Sequence, residues 1–234
     1  MTPDELAAIL ASHRLWLDDN PDGKRADLRE RELRGADLRK ADLRYADLEG
    51  ADLEEADMRR ADLLGACLLR AILRAADLRN ADMREADLRY ADLEGAGLEG
   101  ANLEGADLRA ADLRNADLRW ADLEGANLVK ANLEGSDLSD ADLRGADLQG
   151  ADLRGANLDD PSWSLSCGTM GVVSDDRLKI QLLAHAAILG GEICDPDLAE
   201  LLGSDLFRRV VQKCHRAEEL GLIDGADLEL KEGD

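Results

Sequence analysis

The chain has 234 residues, a formal net charge of −23 at pH 7 and only three Trp, two Tyr and one Phe. That charge argues against direct binding to nucleic acid or to an anionic membrane by the chain as a whole. No apolar run approaches the roughly 18 residues of a membrane span, and no signal-peptide pattern precedes the first charges, so a cytoplasmic location is expected. Four widely spaced cysteines, Cys67, Cys167, Cys194 and Cys214, fit reduced thiols rather than a disulfide framework.

Residues 1–25 begin with a helix. Thr2 can cap it, Pro3 suits its first position and Glu5 completes a capping box. Leu6, Ile9, Leu10, His13 and Leu17 recur at helical spacing with Trp16 alongside, and residues 18–23 (DDNPDG) end it as a turn. Because an open solenoid end exposes core side chains and unpaired backbone, this segment is expected to cap the repeats that begin at Ala26, with His13 packed inside the cap.

From Ala26 to Leu158 the chain repeats in fives. Starting at Leu28, 27 quintet centres run in register, all Leu except Met58 and Met83. Two positions before each centre stands Ala, except at Arg31 and Ser136, and the residue between is Asp in 19 quintets, with Asn at Asn102, Asn127, Asn132 and Asn157. A period of five fits neither a helix at 3.6 nor a strand at 2. Helical Leu residues would advance by about 140° each and smear around the whole surface. The pattern needs a backbone that turns a corner once per quintet, with the centre and the small residue two before it pointing inward.

These A(D/N)LXX quintets resemble the pentapeptide-repeat family over residues 26–158. The resemblance implies a right-handed quadrilateral β-helix, an all-β solenoid in which four quintets close a square coil of twenty residues. Quintets twenty residues apart then stack on one of four faces, about 4.8 Å from coil to coil. Some members of that family act as DNA mimics that bind DNA gyrase and protect it from quinolones or toxins.

Sorted by face, the quintets centred on Leu38, Met58, Leu78 and Leu118 carry Arg39, Arg59, Arg79 and Arg119, joined by Lys40 and Arg60 and partly offset by Asp37, Asp57 and Asp77. This stripe reads either as interleaved surface charge or as a docking surface. On another face Arg34, Glu54, Arg74, Glu94, Arg114, Glu134 and Arg154 alternate in sign, which avoids stacking like charges. One coil departs from the charged pattern, holding Leu64, Cys67, Leu69 and Ile72 at outward positions. An apolar patch of this kind is expected to be covered by a terminal element or by a partner. Tyr45, Tyr90 and Trp120 fall on three different faces and form no stacking platform.

Charge is uneven along the coil. Residues 26–75 hold 12 acids and 10 bases; residues 76–158 hold 19 acids and 9 bases, a net −10. At about 4.8 Å per coil the second section is about 20 Å long, or about one charge per 2 Å, against about one per 1.7 Å for duplex DNA. Asp107, Asp112, Asp117, Asp122, Asp137, Asp142 and Asp147 are the candidate DNA-like acids.

Residues 159–174 leave the repeat as a linker or end plug: Pro161 stops the coil and Trp163 suits its open end. Residues 175–234 read as a helical domain with Gly190-Gly191, Asp195-Pro196, Gly203-Ser204 and Gly221 as punctuation. Its helix order loosely resembles a winged-helix domain, with Arg208, Arg209, Lys213 and Arg216 along the third helix. A capping or dimerisation module is the other reading.

No nucleophile elbow, phosphate loop or H-E-x-x-H pattern occurs, and the spacing of His185, Cys194, Cys214 and His215 matches no zinc module. A filled interior also leaves no substrate cleft. The chain is therefore expected to be a non-enzymatic binding protein without cofactor or metal, its partner a protein with a basic DNA-binding groove such as gyrase or another topoisomerase. An anti-defence mimic aimed at a nuclease or CRISPR effector is one alternative, and a structural scaffold with a DNA-binding or dimerising C-terminal module is another.

Overall fold

A computed structural model describes residues 1–158. The expected linker, the expected helical domain and the basic residues Arg208, Arg209, Lys213 and Arg216 lie outside the described residues.

Helix α1 spans Pro3–Leu17. Its capping box is complete: the Glu5 N–H donates to Thr2 Oγ1 at 3.2 Å, and the Thr2 N–H donates to Glu5 Oε2 at 2.8 Å. The helix is held to the first coil at its far end. The buried His13 accepts the Ala26 N–H on Nδ1 at 3.0 Å, and its ring stacks on Trp16 at 5.5 Å. At the turn, Gly23 lies so close to the backbone of Trp16 that a Cβ there would overlap it.

From Asp27 onward the coil closes every twenty residues. Twenty-three parallel bridges join the residue before each centre to its counterpart twenty residues on, from Asp27–Asp47 to Asp137–Asn157. Each edge contributes a single bridging residue, so the ladders run along the coil and no extended strand forms among the described residues.

The backbone accounting explains why five residues suffice. Taking the quintet Asp47–Leu48, the Asp47 N–H donates down to Ala26 O at 3.0 Å and the Leu48 N–H donates up to Cys67 O at 2.7 Å. The Gly50 N–H donates up to Leu69 O at 2.9 Å, and the Ala51 N–H closes the turn on Leu48 O at 3.0 Å. The fifth donor, Glu49 N–H, is taken by Asp47 Oδ1 at 3.3 Å. Every backbone donor of the quintet thus has a partner, as a close-packed interior demands. Asp or Asn precedes the centre because its side-chain oxygen satisfies the one donor that the ladders miss.

The turn itself requires left-handed backbone. At every corner from Glu30 to Gly155 the second residue after the centre has φ between 52° and 70°, and eleven of these are Gly. Inside, the centres from Leu28 to Leu158 are all buried, as are the Ala residues two before each centre from Ala46 onward. Ser136, in place of Ala, satisfies its hydroxyl on Leu133 O at 2.8 Å. Near the helix, Arg31 is exposed and Ala36 and Ala41 only half-buried, because no coil lies beneath them.

Candidate functional site

From Asp42 onward the acids that precede the centres are half-buried rather than fully outward, flanked by their neighbours in the ladder, whereas Asp27, Glu32 and Asp37 in the first coil are exposed. Where Arg stands two residues later, it folds back as a two-pronged clamp. Asp107 is held by Arg109, Asp112 by Arg114, Asp117 by Arg119 and Asp142 by Arg144, with Nη2–Oδ2 distances of 2.6 to 2.7 Å. These clamps hold the four carboxyls below their usual range, the side-chain hydrogen bond from Arg being the largest cause.

Of the seven candidate acids, Asp122, Asp137 and Asp147 have no such clamp. Glu124, Ser139 and Gln149 stand where the arginine would be. Asp137 instead accepts from the Ser139 hydroxyl and from Asn157 Nδ2. The twenty-residue register also spreads the seven over all four faces, so the structure does not bring them together into one surface.

The register assembles a different acidic surface. On the fourth face, whose centres run from Leu43 to Leu143, eight carboxylates oppose three arginines. Glu85 and Glu104 are exposed and Asp122 half-buried, and none of the three makes an ion pair with the described residues. Glu124 is exposed and shares Arg144 at 2.6 Å. Sequence reading missed Glu85, Glu104 and Glu124 because it sorted acids by position within the quintet. Sorting by twenty would have found them. On the same face Asp62 has Leu64 where an arginine clamp would stand. Burial, followed by the charges of Asp82 and Asp42, pushes its carboxyl up, against the lowering effect of the Leu64 N–H.

In the apolar coil, Leu64, Cys67 and Leu69 are half-buried and Ile72 is exposed, across three adjacent faces. Burial raises the Cys67 thiol above its ordinary range, which disfavours the reactive thiolate. The Tyr45 ring lies over Gly65, the residue that follows Leu64.

On the third face, Arg39, Lys40, Arg59, Arg60, Arg79, Asn80 and Glu99 line a groove of about 340 Å³. Arg39, Arg59 and Arg79 are each clamped to an aspartate at 2.6 Å, whereas Lys40 and Arg60 make no ion pair with the described residues. Among the described residues no group of three or more His, Cys, Asp or Glu could hold a metal ion, and no helix is long and apolar enough to cross a membrane.

The family description "Pentapeptide repeats" matches eight copies, over residues 24–60, 36–78, 61–105, 91–128 and 121–160. No curated protein matches the chain. Among solved structures, the chain is similar to HetL, a pentapeptide repeat protein involved in heterocyst differentiation regulation from the cyanobacterium Nostoc sp. strain PCC 7120. The identity is 34% over 63% of this chain and 73% of HetL, with a TM-score of 0.36. It is 39% identical to Rfr23, a pentapeptide repeat protein from the cyanobacterium Cyanothece 51142, over 43% of this chain and 60% of Rfr23, with a TM-score of 0.30. It is 24% identical to QnrB1, a plasmid-mediated fluoroquinolone resistance protein, over 67% of this chain and 85% of that one, with a TM-score of 0.28.

Proposed function

Because this chain belongs to the pentapeptide-repeat family of β-helix solenoids, whose members generally serve as structural or binding proteins, we propose that it is a non-enzymatic DNA mimic. Its coil would be right-handed, as the family implies, and its acidic face would occupy the basic DNA-binding groove of a DNA-handling enzyme of the gyrase or topoisomerase type. In this reading α1 closes the first coil, through the His13–Ala26 hydrogen bond.

The observation that carries the reading is the cluster Glu85, Glu104, Asp122 and Glu124 on one face. They occupy three successive coils about 4.8 Å apart along a rigid backbone, Asp122 and Glu124 sharing the last. The spacing is of the same order as the about 3.4 Å rise per phosphate on one DNA strand. Three of the four acids make no ion pair with the described residues, so their charge is free to meet lysines and arginines of a groove built for phosphate. A fixed row of carboxylates also costs less ordering entropy on binding than a flexible acidic tail.

The test uses the full chain and purified DNA gyrase, following release of labelled duplex DNA. The chain should displace the duplex, and more weakly as salt rises. Replacing Glu85, Glu104 and Glu124 by Gln and Asp122 by Asn should weaken displacement by at least about tenfold and flatten its salt dependence. The same loss of four charges at Glu30, Glu32, Glu49 and Glu55 should do much less. Equal losses from both sets, or displacement unaffected by either, would overturn the assignment of the fourth face.

A further inference from the structure

The third face carries two features that mimicry does not use, a cationic groove near one end and an exposed aromatic followed by an acid near the other. Trp120 is 54% exposed and lies beside its own Arg119, whose guanidinium is 5.4 Å from the ring. Lys40, Arg60 and Asp140 are all exposed, and none makes an ion pair with the described residues.

These features are arranged as complements. Along the column two residues after each centre the face reads Lys40, Arg60, Asn80, Gly100, Trp120, Asp140. Consider a two-fold axis in the plane of this face, perpendicular to the coil and between the rows of Leu78 and Leu98. That operation turns the column end for end without moving it sideways, so it lies against itself. Lys40 then opposes Asp140 of the second copy, Arg60 opposes its Trp120 and Asn80 opposes its Gly100. In the neighbouring column Arg79 opposes Glu99, and the two copies place four charges of alternating sign around the axis. Because the relation is a closed two-fold, each pairing occurs twice.

We infer that the third face is the docking surface for a second, antiparallel copy of this chain, with Trp120 of each copy seated in the cationic groove of the other. The groove of about 340 Å³ is large enough for an indole, and its wall of Arg59 and Arg60 offers the guanidinium faces that Trp attracts. Gly100, which has no side chain, lies where Asn80 of the second copy arrives. Three like-charge encounters arise, Arg59 with Arg119, Asp57 with Asp117 and Asp37 with Asp137. Each is muted because these groups are already engaged, Asp37 by Arg39, Asp57 by Arg59, Asp117 by Arg119, and Asp137 by Ser139 and Asn157. Arg59 lies 2.6 Å from Asp57 and 3.4 Å from Asp77, and Arg119 lies 2.6 Å from Asp117 and 3.4 Å from Glu99.

Two chains of net −23 repel at long range, whereas the proposed pairs act at contact. At about 0.15 M salt the Debye length is about 8 Å, which suppresses the first more than the second. The strip from Leu38 to Leu138 spans five coil steps, about 24 Å. One such strip falls short of the about 1,200 Å² that stable interfaces bury, so the dimer is a weak, concentration-dependent one, with a Kd of order 100 µM.

Sedimentation equilibrium of the full chain from about 10 to 500 µM, at about 0.15 M salt, tests this. The parent chain should shift from monomer to dimer, and Trp120→Ala, Lys40→Asp and Asp140→Lys should each raise the dissociation constant at least about tenfold. The double variant Lys40→Asp with Asp140→Lys should restore association. In one chain these two residues are about 24 Å apart, so the rescue cannot arise within a monomer. A parent that stays monomeric throughout would overturn the inference. So would a dimer indifferent to all three single changes, which would place self-association on another surface, or a failure of the double variant to recover. Binding of a DNA duplex by the monomer that is lost in Lys40→Asp would also overturn it, by assigning the groove to phosphate.

Discussion

Asp112 and Arg114 close a small ring within one corner of the coil. Arg114 donates from Nε to Oδ1 at 2.8 Å and from Nη2 to Oδ2 at 2.7 Å, while Asp112 Oδ1 accepts the Arg114 backbone N–H at 3.2 Å. The carboxylate therefore satisfies a backbone donor and is itself neutralised, and the same arrangement recurs wherever Asp and Arg stand two apart.

The effect of changing Asp to Asn should depend on whether that arginine is present. Asn already accepts the turn N–H at Asn102, Asn127 and Asn132, so the backbone bond survives. Asp112→Asn should lower stability by about 0.5–1 kcal/mol through loss of the charged pair. Asp62→Asn should raise stability, because it removes a half-buried charge beside Asp42 and Asp82 while keeping the bond to the Leu64 N–H. Chemical denaturation of the two variants checks both signs.

Acid should act in two windows. Arg29 and Arg39 hold the carboxyls of Asp27 and Asp37 down to about 2. Their contribution is complete above the unfolded value, near 3.9, and is lost as pH falls through about 2. Burial lowers the His13 imidazole from 6.5. Its stability contribution is therefore present above the unfolded value and lost as pH falls below about 6.5 towards the lower folded value. The protection factors of the α1 amides, corrected for intrinsic exchange, should fall in that range while those of the coil stay unchanged. In a His13→Gln variant the pH dependence of α1 protection should disappear.

Gly65 and Gly105 share left-handed backbone, at φ +61° and +64°, but not surroundings. A Cβ at Gly105 meets nothing within 4 Å, whereas at Gly65 it would lie 2.7 Å from the Tyr45 ring. Gly105→Ala should cost roughly 1 kcal/mol of backbone strain. Gly65→Ala should cost more, and Tyr45→Ala in the same chain should remove the excess. Thermal melts of the three variants decide it.

Leu88 is fully buried in the column between Leu68 and Leu108. Leu88→Asp places a charge where no partner can reach it and should cost several kcal/mol. A variant melting at the parent temperature would contradict the inward placement.

The sequence by itself determined the quintet, its inward Leu and Ala and the need for a corner every five residues, because a period of five admits neither helix nor simple strand. It also carried the apolar coil of Leu64, Cys67, Leu69 and Ile72, and the capping box of α1. It did not show why Asp precedes the centre, since that depends on which backbone donor the ladders leave free. Nor did it show which charges act, because a carboxylate clamped by arginine and a free one are spelled alike. The closed twenty-residue turn puts Glu85, Glu104, Asp122 and Glu124 on one face and Asp107, Asp117 and Asp147 on others. Coulomb interactions act over ångströms in space, and the coil brings residues twenty apart in sequence to about 4.8 Å while turning those five apart onto different faces.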